Sequence, residues 1–266
     1  MTTTTTTTTT TARLDFSGLL RSEVIKARGL RSIQWLLALL LALPVVTAVL
    51  SALTADTAGG THDEVAEEAL SAVTGLSWIP LLLVVLLGTI VATSEFERGA
   101  VQTTFTVAPR RASVVLTKAT LVAVTVLVAT LLSSVVSYLV AAALLGGDQP
   151  ASLGDPDVPR VIIGTALYAA SAGVIAMCFG FLTRSSIGGV TATLGFLYVL
   201  PALLQAIPIE AVGWFARTIP GPASTALDLP GHPDGDLTFT TALIAVIFWT
   251  AAALLLTCTV VRRRDV

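Results

Sequence analysis

The sequence predicts an all-α membrane protein that crosses the bilayer six times. Its 266 residues are 54% hydrophobic and only 12% charged, whereas a soluble domain carries about 25% charged residues. Six apolar stretches are long enough to cross a hydrocarbon layer about 30 Å thick, which takes roughly 20 helical residues. They are Ile33–Thr54, Gly75–Thr93, Ala119–Leu145, Val161–Leu182, Ile187–Ile207 and Thr238–Val261. Because a membrane barrel would show shorter, alternating segments, helices are the way this backbone satisfies its hydrogen bonds in lipid.

The charged residues between these spans sort to opposite sides of the membrane. With six crossings, 13 of the 15 Lys and Arg residues fall on one side and 12 of the 17 Asp and Glu residues fall on the other. Cytoplasmic loops carry an excess of Lys and Arg. We therefore expect both termini to lie in the cytoplasm.

The chain begins with a polar tail and an amphipathic segment. The tract Thr2–Thr11 has no apolar face to bury, so we expect residues 1–12 to be disordered and residues 13–266 to form one membrane domain. Apolar residues then recur at helical spacing, although Glu23 and Arg31 interrupt their face, and predict an interfacial helix before the first span. They are Phe16, Leu19, Leu20, Val24 and Ala27. The alternative is a basic flank that only sets topology.

The inner loop between the second and third spans, Ser94–Lys118, is much longer than a connector needs to be. The connector Thr183–Ser186 joins two later spans with only a few residues. In the long loop, Phe96 and Phe105 stand among charged residues, a composition that suits a short helix offered to a protein partner. The alternative is a pair of helical extensions of the flanking spans that contact nothing.

The last outer loop, Pro208–Leu237, is too apolar for open water and its apolar part is too short to cross the membrane. We expect a short re-entrant or interfacial helix there, before the sixth span, with Trp214 at the level of the headgroups.

The spans lack the residues that most membrane chemistry needs. None contains Asp, Glu, Lys, Arg or His, both histidines (His62 and His232) fall in outer loops, and no G-x-x-x-x-G-K-[ST] phosphate loop occurs. Intramembrane hydrolases and ion-coupled pumps usually need such groups at membrane depth. We therefore predict no enzymatic activity, no bound metal or cofactor and no nucleic-acid partner for this chain.

Small and hydroxylated residues are the polar content of the spans. In the fourth span, Ala172, Ala176 and Gly180 form a small-residue stripe that permits close helix contact. Other residues either line a polar pathway or, as is more common, bond between helices. They are Thr130, Ser133, Ser134 and Ser137 in the third span and Gln205 near the end of the fifth.

Four features together resemble the permease subunits of bacterial ATP-binding cassette (ABC) transporters of the type-2 exporter family. The inner loop carries the two most specific features, an acidic residue followed by a basic residue and glycine, and then Pro-Arg before a lysine that opens the third span. The features are the helix around Phe16–Ala27, the segment Ser94–Gly99, the segment Ala108–Arg111 followed by Lys118, and the stretch from Trp214 to Pro220.

This resemblance implies that the inner loop contains a coupling helix that rests on a separate ATPase subunit, with the interfacial helix as an elbow beside it. The implied interface comprises Glu95, Phe96, Arg98, Gly99, Phe105, Pro109, Arg110, Arg111 and Lys118. ATP and Mg²⁺ would be bound by the ATPase subunits. The chain would be half of an exporter in the bacterial cell membrane, paired with a second copy or a homologous six-span subunit and surrounded by lipid.

Two other classes of function remain as alternatives. One is a self-sufficient secondary transporter or channel, which would work without any ATPase. The other is a membrane scaffold that uses the same fold to bind a partner but transports nothing.

Overall fold

A computed structural model describes residues 16–54, 70, 78–97, 111–145, 157–228 and 237–263. All regular structure in these ranges is helical. The residues predicted to form the disordered tail and the residues 98–110 of the inner loop lie outside the described part.

Ten helices follow one another along the described chain, and the fifth is the centre of the bundle. Helix α5 packs against α3, α4, α6 and α10, and it is the most buried of the long helices. The helices are α1 (Phe16–Arg28), α2 (Arg31–Thr54), α3 (Trp78–Glu97), α4 (Arg111–Leu145), α5 (Asp157–Thr183), α6 (Ser186–Gln205), α7 (Glu210–Arg217), α8 (Pro220–Ala223), α9 (Thr225–Asp228) and α10 (Phe239–Arg263).

Five helices are long and apolar enough to cross a membrane, namely α2, α4, α5, α6 and α10. They match five of the six predicted spans. The second predicted span forms α3, whose apolar part, Trp78–Ser94, is shorter than the other five. The protein is thus an all-helical, multi-pass membrane protein.

Helix α4 begins earlier than the sequence indicates. We predicted that the third span begins at Ala119, but the helix begins at Arg111 and runs for 35 residues. At 1.5 Å per residue this is about 52 Å, well beyond the thickness of a hydrocarbon core. Helix α3 likewise continues to Glu97. Both flanking helices therefore extend into the predicted inner loop.

Glycine residues, which have no side chain, let the central helices approach closely. A Cβ atom added to Gly88 of α3 would overlap the carbonyl oxygen of Gly173 in α5, and one added to Gly180 would lie 2.9 Å from Cβ of Ala92. The small-residue stripe of α5 therefore packs against α3 of the same chain at Gly180. Small residues at such crossings let helix backbones gain van der Waals contact in lipid.

Helix α6 contains a π turn over Gly195–Val199, followed by Pro201. Pro201 has no N–H to donate to the carbonyl of Leu197, four residues earlier. That carbonyl faces Gly221 of α8, where an added Cβ would overlap its oxygen. The irregular part of α6 thus forms the surface against which α8 packs. Ile219 and Leu227 are buried beside this contact.

The expected re-entrant or interfacial segment is a series of three short helices, α7 to α9. Helix α7 leaves Trp214 61% exposed, whereas its Phe215 ring lies 5.8 Å from the ring of Trp249 on α10. Helices α8 and α9 pack inward against α5, α6 and α10. Trp214 is thus on the surface of the bundle, and its position at the level of the headgroups stays a prediction.

Candidate functional site

Helix α1 lies across the bundle, against α4 and α2. Leu19, Leu20 and Val24 are half-buried on its inner side, and Ala27 packs on the apolar cluster formed by α2, α3, α4 and α5. Phe16 begins the helix, but its side chain is outside the described part. The apolar positions predicted from helical spacing thus include those that hold α1 on the bundle.

Glu23 on α1 and Lys118 on α4 form a buried ion pair. The Lys118 Nζ atom donates a hydrogen bond to Glu23 Oε2 at 2.6 Å, and their side chains are only 3% and 7% exposed, respectively. Lys26, one turn along α1, binds the other carboxylate oxygen at 2.8 Å and is itself half-exposed. One carboxylate therefore receives hydrogen bonds from two ammonium groups, one of them inside the protein.

The surroundings of Glu23 keep its carboxyl ionised. Burial alone would raise its pKa, but the charge of Lys118, the hydrogen bond from Lys118 and then the contacts with Lys26 together outweigh burial and lower the pKa below its ordinary value. At neutral pH the pair is therefore a charged one, and the contact between the two ions, with the bond from Lys26, offsets the desolvation cost of burying them.

Lys118 also reaches a third helix, since its Nζ atom donates to the carbonyl oxygen of Val91 in α3 at 3.3 Å. A second polar contact lies close by, where the Thr93 and Ser186 hydroxyls are 2.6 Å apart and join α3 to α6. Helices α1, α3 and α4 are thus tied together within two helical turns of the point where α3 and α4 leave the bundle for residues 98–110.

This position differs from the one expected for Lys118. The resemblance placed Lys118 at an interface with another subunit, but the residue is 2% exposed and its ammonium group bonds inside the chain. Lys118 therefore connects α4 to α1 and α3 within the chain. A buried lysine is stable here because Glu23 supplies the countercharge.

The other predicted interface residues lie around the break between α3 and α4. Glu95 and Phe96 belong to the last turn of α3 and Arg111 begins α4, but their side chains are outside the described part. The remaining five lie wholly outside the described residues, namely Arg98, Gly99, Phe105, Pro109 and Arg110.

Glu23 is not among the site residues predicted from the sequence. In the sequence it only interrupts the apolar face of the interfacial helix. A carboxylate on a face that must be buried needs a cation, and that requirement is the signal that could have found the pair. Its partner is 95 residues away in the sequence, so local spacing does not reveal it.

The hydroxyl groups of α4 serve partly in packing. Ser133 donates to the carbonyl of Leu41 at 3.3 Å, close to the Pro44 position of α2. A small cavity of about 40 Å³ is lined by Thr130, Ser133, Ser134 and residues of α2, α3 and α5. The Thr130 and Ser137 hydroxyls are buried and have no hydrogen-bond partner within the described part of the chain.

The remaining polar candidate, Gln205, is exposed at the end of α6 and lines no cavity with these hydroxyls. The described residues contain no group of three or more His, Cys, Asp or Glu side chains that could hold a metal ion. Cys178 and Cys258 are free thiols within the bundle. The described site is therefore an ion pair that connects α1 to α4 and, through the Val91 carbonyl, to α3.

Comparison with known proteins agrees with this architecture. The family model described as ABC-2 family transporter protein matches residues 19–202, a range that begins in α1 and ends within α6. No curated protein matches the chain. Proteins of this family are the membrane components of ABC transporters and normally work with an ATPase subunit. The match covers more than half of the sequence and includes both residues of the ion pair, so the chain belongs to the ABC-2 family of transporter proteins.

Proposed function

We propose that this permease is one half of an ABC exporter, driven by ATP hydrolysis in separate ATPase subunits. The observation that carries the proposal is the match of residues 19–202 to the ABC-2 transporter family. The Glu23–Lys118 ion pair adds a connection between α1 and the two helices that flank the predicted docking segment. Energy from outside the chain suits a permease whose predicted spans contain no Asp, Glu, Lys, Arg or His.

In this proposal the chain crosses the membrane six times, with α3 as the second crossing. Leu81, near the start of α3, belongs to the apolar cluster around α8 and α9, whereas Val91 and Ala92 belong to the cluster beneath α1. Val261, near the end of α10, packs on the same cluster as Val91 and Ala92. These contacts are compatible with the proposed six crossings, which would leave both termini in the cytoplasm of the bacterial cell.

The docking surface for the ATPase is formed by the segment from Glu95 to Arg111 together with α1. Phe96 and Phe105 are its apolar anchors, and Glu95, Arg98, Arg110 and Arg111 are its charged contacts. Gly99 and Pro109 belong to the same predicted interface. Elbow residues such as Leu20 and Val24 hold α1 beside this surface. ATP and Mg²⁺ are bound by the ATPase, not by the permease.

In this proposal, the ion pair couples movement of the docking segment to movement of α1, α3 and α4. When ATP binding draws two ATPase subunits together, they push on the segment, and α3 and α4 move with α1 because Lys118 bonds to Glu23 and to Val91. A second copy or a homologous subunit supplies the other half of the pathway, which opens outward between the two halves. Interfacial lipid surrounds the assembly.

The first test is a double charge reversal, Arg110→Glu with Arg111→Glu, in the tagged chain purified from its native membrane with mild detergent. The matched control is Arg262→Glu with Arg263→Glu, which reverses two adjacent arginines at the end of α10. We expect the first variant to lose the ATPase subunit and the control to keep it, with equal membrane insertion. Retention of the ATPase by both variants would overturn the proposed contacts, and transport without any ATPase would favour a self-sufficient transporter.

A further inference from the structure

A groove opens between α1 and the helices beneath it. It has a volume of about 380 Å³ and lies between α1, α2, α3 and α4. Its walls are mostly apolar, with Leu20 and Val24 from α1, Leu37 from α2, Val91 from α3 and Val124 from α4. Such a groove is large enough and apolar enough to hold part of a hydrocarbon chain.

One end of the groove is basic. Arg28, in the last turn of α1, lines it and is exposed. Gln34, which also lines it, donates its side-chain amide to the Arg28 carbonyl oxygen at 2.6 Å and so fixes the corner between α1 and α2. None of the lining residues is acidic, and the acid of α1, Glu23, is neutralised by Lys118 and Lys26. The charge at this end is therefore positive.

The residues around the groove are of the kinds expected at the membrane interface. Trp35, the residue after Gln34, is 71% exposed on α2, and tryptophan side chains at helix ends mark the level of the headgroups. Val124 and Val128 on the outer surface of α4 are 54% and 48% exposed, as expected for lipid-facing positions. The groove thus opens toward lipid along α4 and toward headgroups at Arg28.

We propose that this groove binds one anionic phospholipid, with an acyl chain between α1 and α4 and the phosphate against Arg28. Charge complementarity favours this occupant, because a second copy of the chain would bring another basic α1 to the same place, whereas a phosphate brings a negative charge. Basic pockets between membrane helices are known to recognise anionic headgroups. The lipid would contact α1 on the face that presents Leu20, Val24 and Ala27 to the groove. This inference concerns lipid and does not depend on the ATPase partner.

The test is native mass spectrometry of the full chain after exchange into detergent with equal amounts of phosphatidylglycerol and phosphatidylethanolamine. We expect one phosphatidylglycerol to be retained in preference to phosphatidylethanolamine. Arg28→Gln should reduce that preference about fivefold, the effect of one basic residue near an anionic surface. The matched control, Arg263→Gln, removes an exposed charge at the end of α10 and should leave the preference unchanged.

A second pair of variants tests the acyl-chain position. Thr125→Phe fills the groove, whereas Val128→Phe adds the same ring to a lipid-facing position of α4 outside its lining. We expect only Thr125→Phe to remove the retained lipid. Equal retention of both lipids by the unmodified chain, or unchanged retention in Arg28→Gln and Thr125→Phe, would overturn the proposal. A change of oligomeric state in Thr125→Phe without a change in lipid would assign the groove to a second copy instead.

Discussion

Replacing one partner of the Glu23–Lys118 pair should cost more stability than any other single polar substitution at this end of the bundle. The Glu23 and Lys118 side-chain atoms are 2.6 Å apart, and at an effective dielectric constant of about 20 two unit charges at that distance attract by about 6 kcal/mol. Desolvation of the two ions offsets most of this attraction. Glu23→Gln removes the attraction but leaves the Lys118 charge buried, which costs about 3 to 5 kcal/mol.

The free energy of unfolding can be measured by titrating SDS into dodecylmaltoside micelles and following helix content by circular dichroism. The double variant Glu23→Leu with Lys118→Met removes both charges, and we expect it to be within about 1 kcal/mol of the original chain. Lys26→Met removes a half-exposed partner and should cost less than about 1 kcal/mol.

Glu210→Gln is the control for this experiment, because Glu210 is an exposed acid on α7 at the other end of the bundle. We expect it to leave the free energy of unfolding unchanged. If Glu23→Gln were as harmless as this control, the pair would not hold α1 to α4 and the reasoning would be refuted. The same conclusion would follow if the losses from the single variants Glu23→Leu and Lys118→Met simply added in their double variant.

Three further predictions follow from the same structure. Because the pKa of the Glu23 carboxyl is lowered by folding, its contribution to stability is complete above the ordinary glutamate value of about 4.3 and is lost as the pH falls through the folded value; acid unfolding of Glu23→Gln should lack this step. Gly221→Ala should cost about 1 to 3 kcal/mol, because its Cβ would overlap the Leu197 carbonyl, whereas Gly195→Ala, with open space around it, should show no such clash in thermal unfolding. Arg184 has a φ of 54°, so the free energy of unfolding of Arg184→Gly should exceed that of Arg184→Ala by about 1 kcal/mol, and Arg184→Gly should unfold at the higher temperature.

Much of the fold could be predicted from the sequence because hydrophobic length is a strong signal. Five of the predicted spans are helices long enough to cross a membrane, and their ends are close to the predicted ones except at the start of α4. That difference has a physical cause. Arg111 and Lys118 lie before the apolar stretch that begins at Ala119, and isolated charges are costly in lipid. Lys118 is tolerated inside the bundle because Glu23 neutralises it.

Long-range contacts could not be predicted from the sequence, for a different reason. The packing of Gly221 on the Leu197 carbonyl depends on the π turn in α6 and on how α8 folds back, and neither has a local sequence signature. The Glu23–Lys118 pair depends in the same way on the position of α1 against α4. Glu23 is visible in the sequence as an acid on an apolar face, but its partner can be identified only from the structure.

We propose that a separate ATPase drives this ABC-2 family permease, and co-purification is the direct test. The tagged chain would be extracted from its native membrane in mild detergent, its bound proteins identified, and ATP hydrolysis measured with and without vanadate. We expect recovery of an ATP-binding cassette subunit with vanadate-sensitive hydrolysis. Recovery of the chain alone and without ATPase activity, in a preparation that keeps other membrane complexes intact, would contradict the proposal.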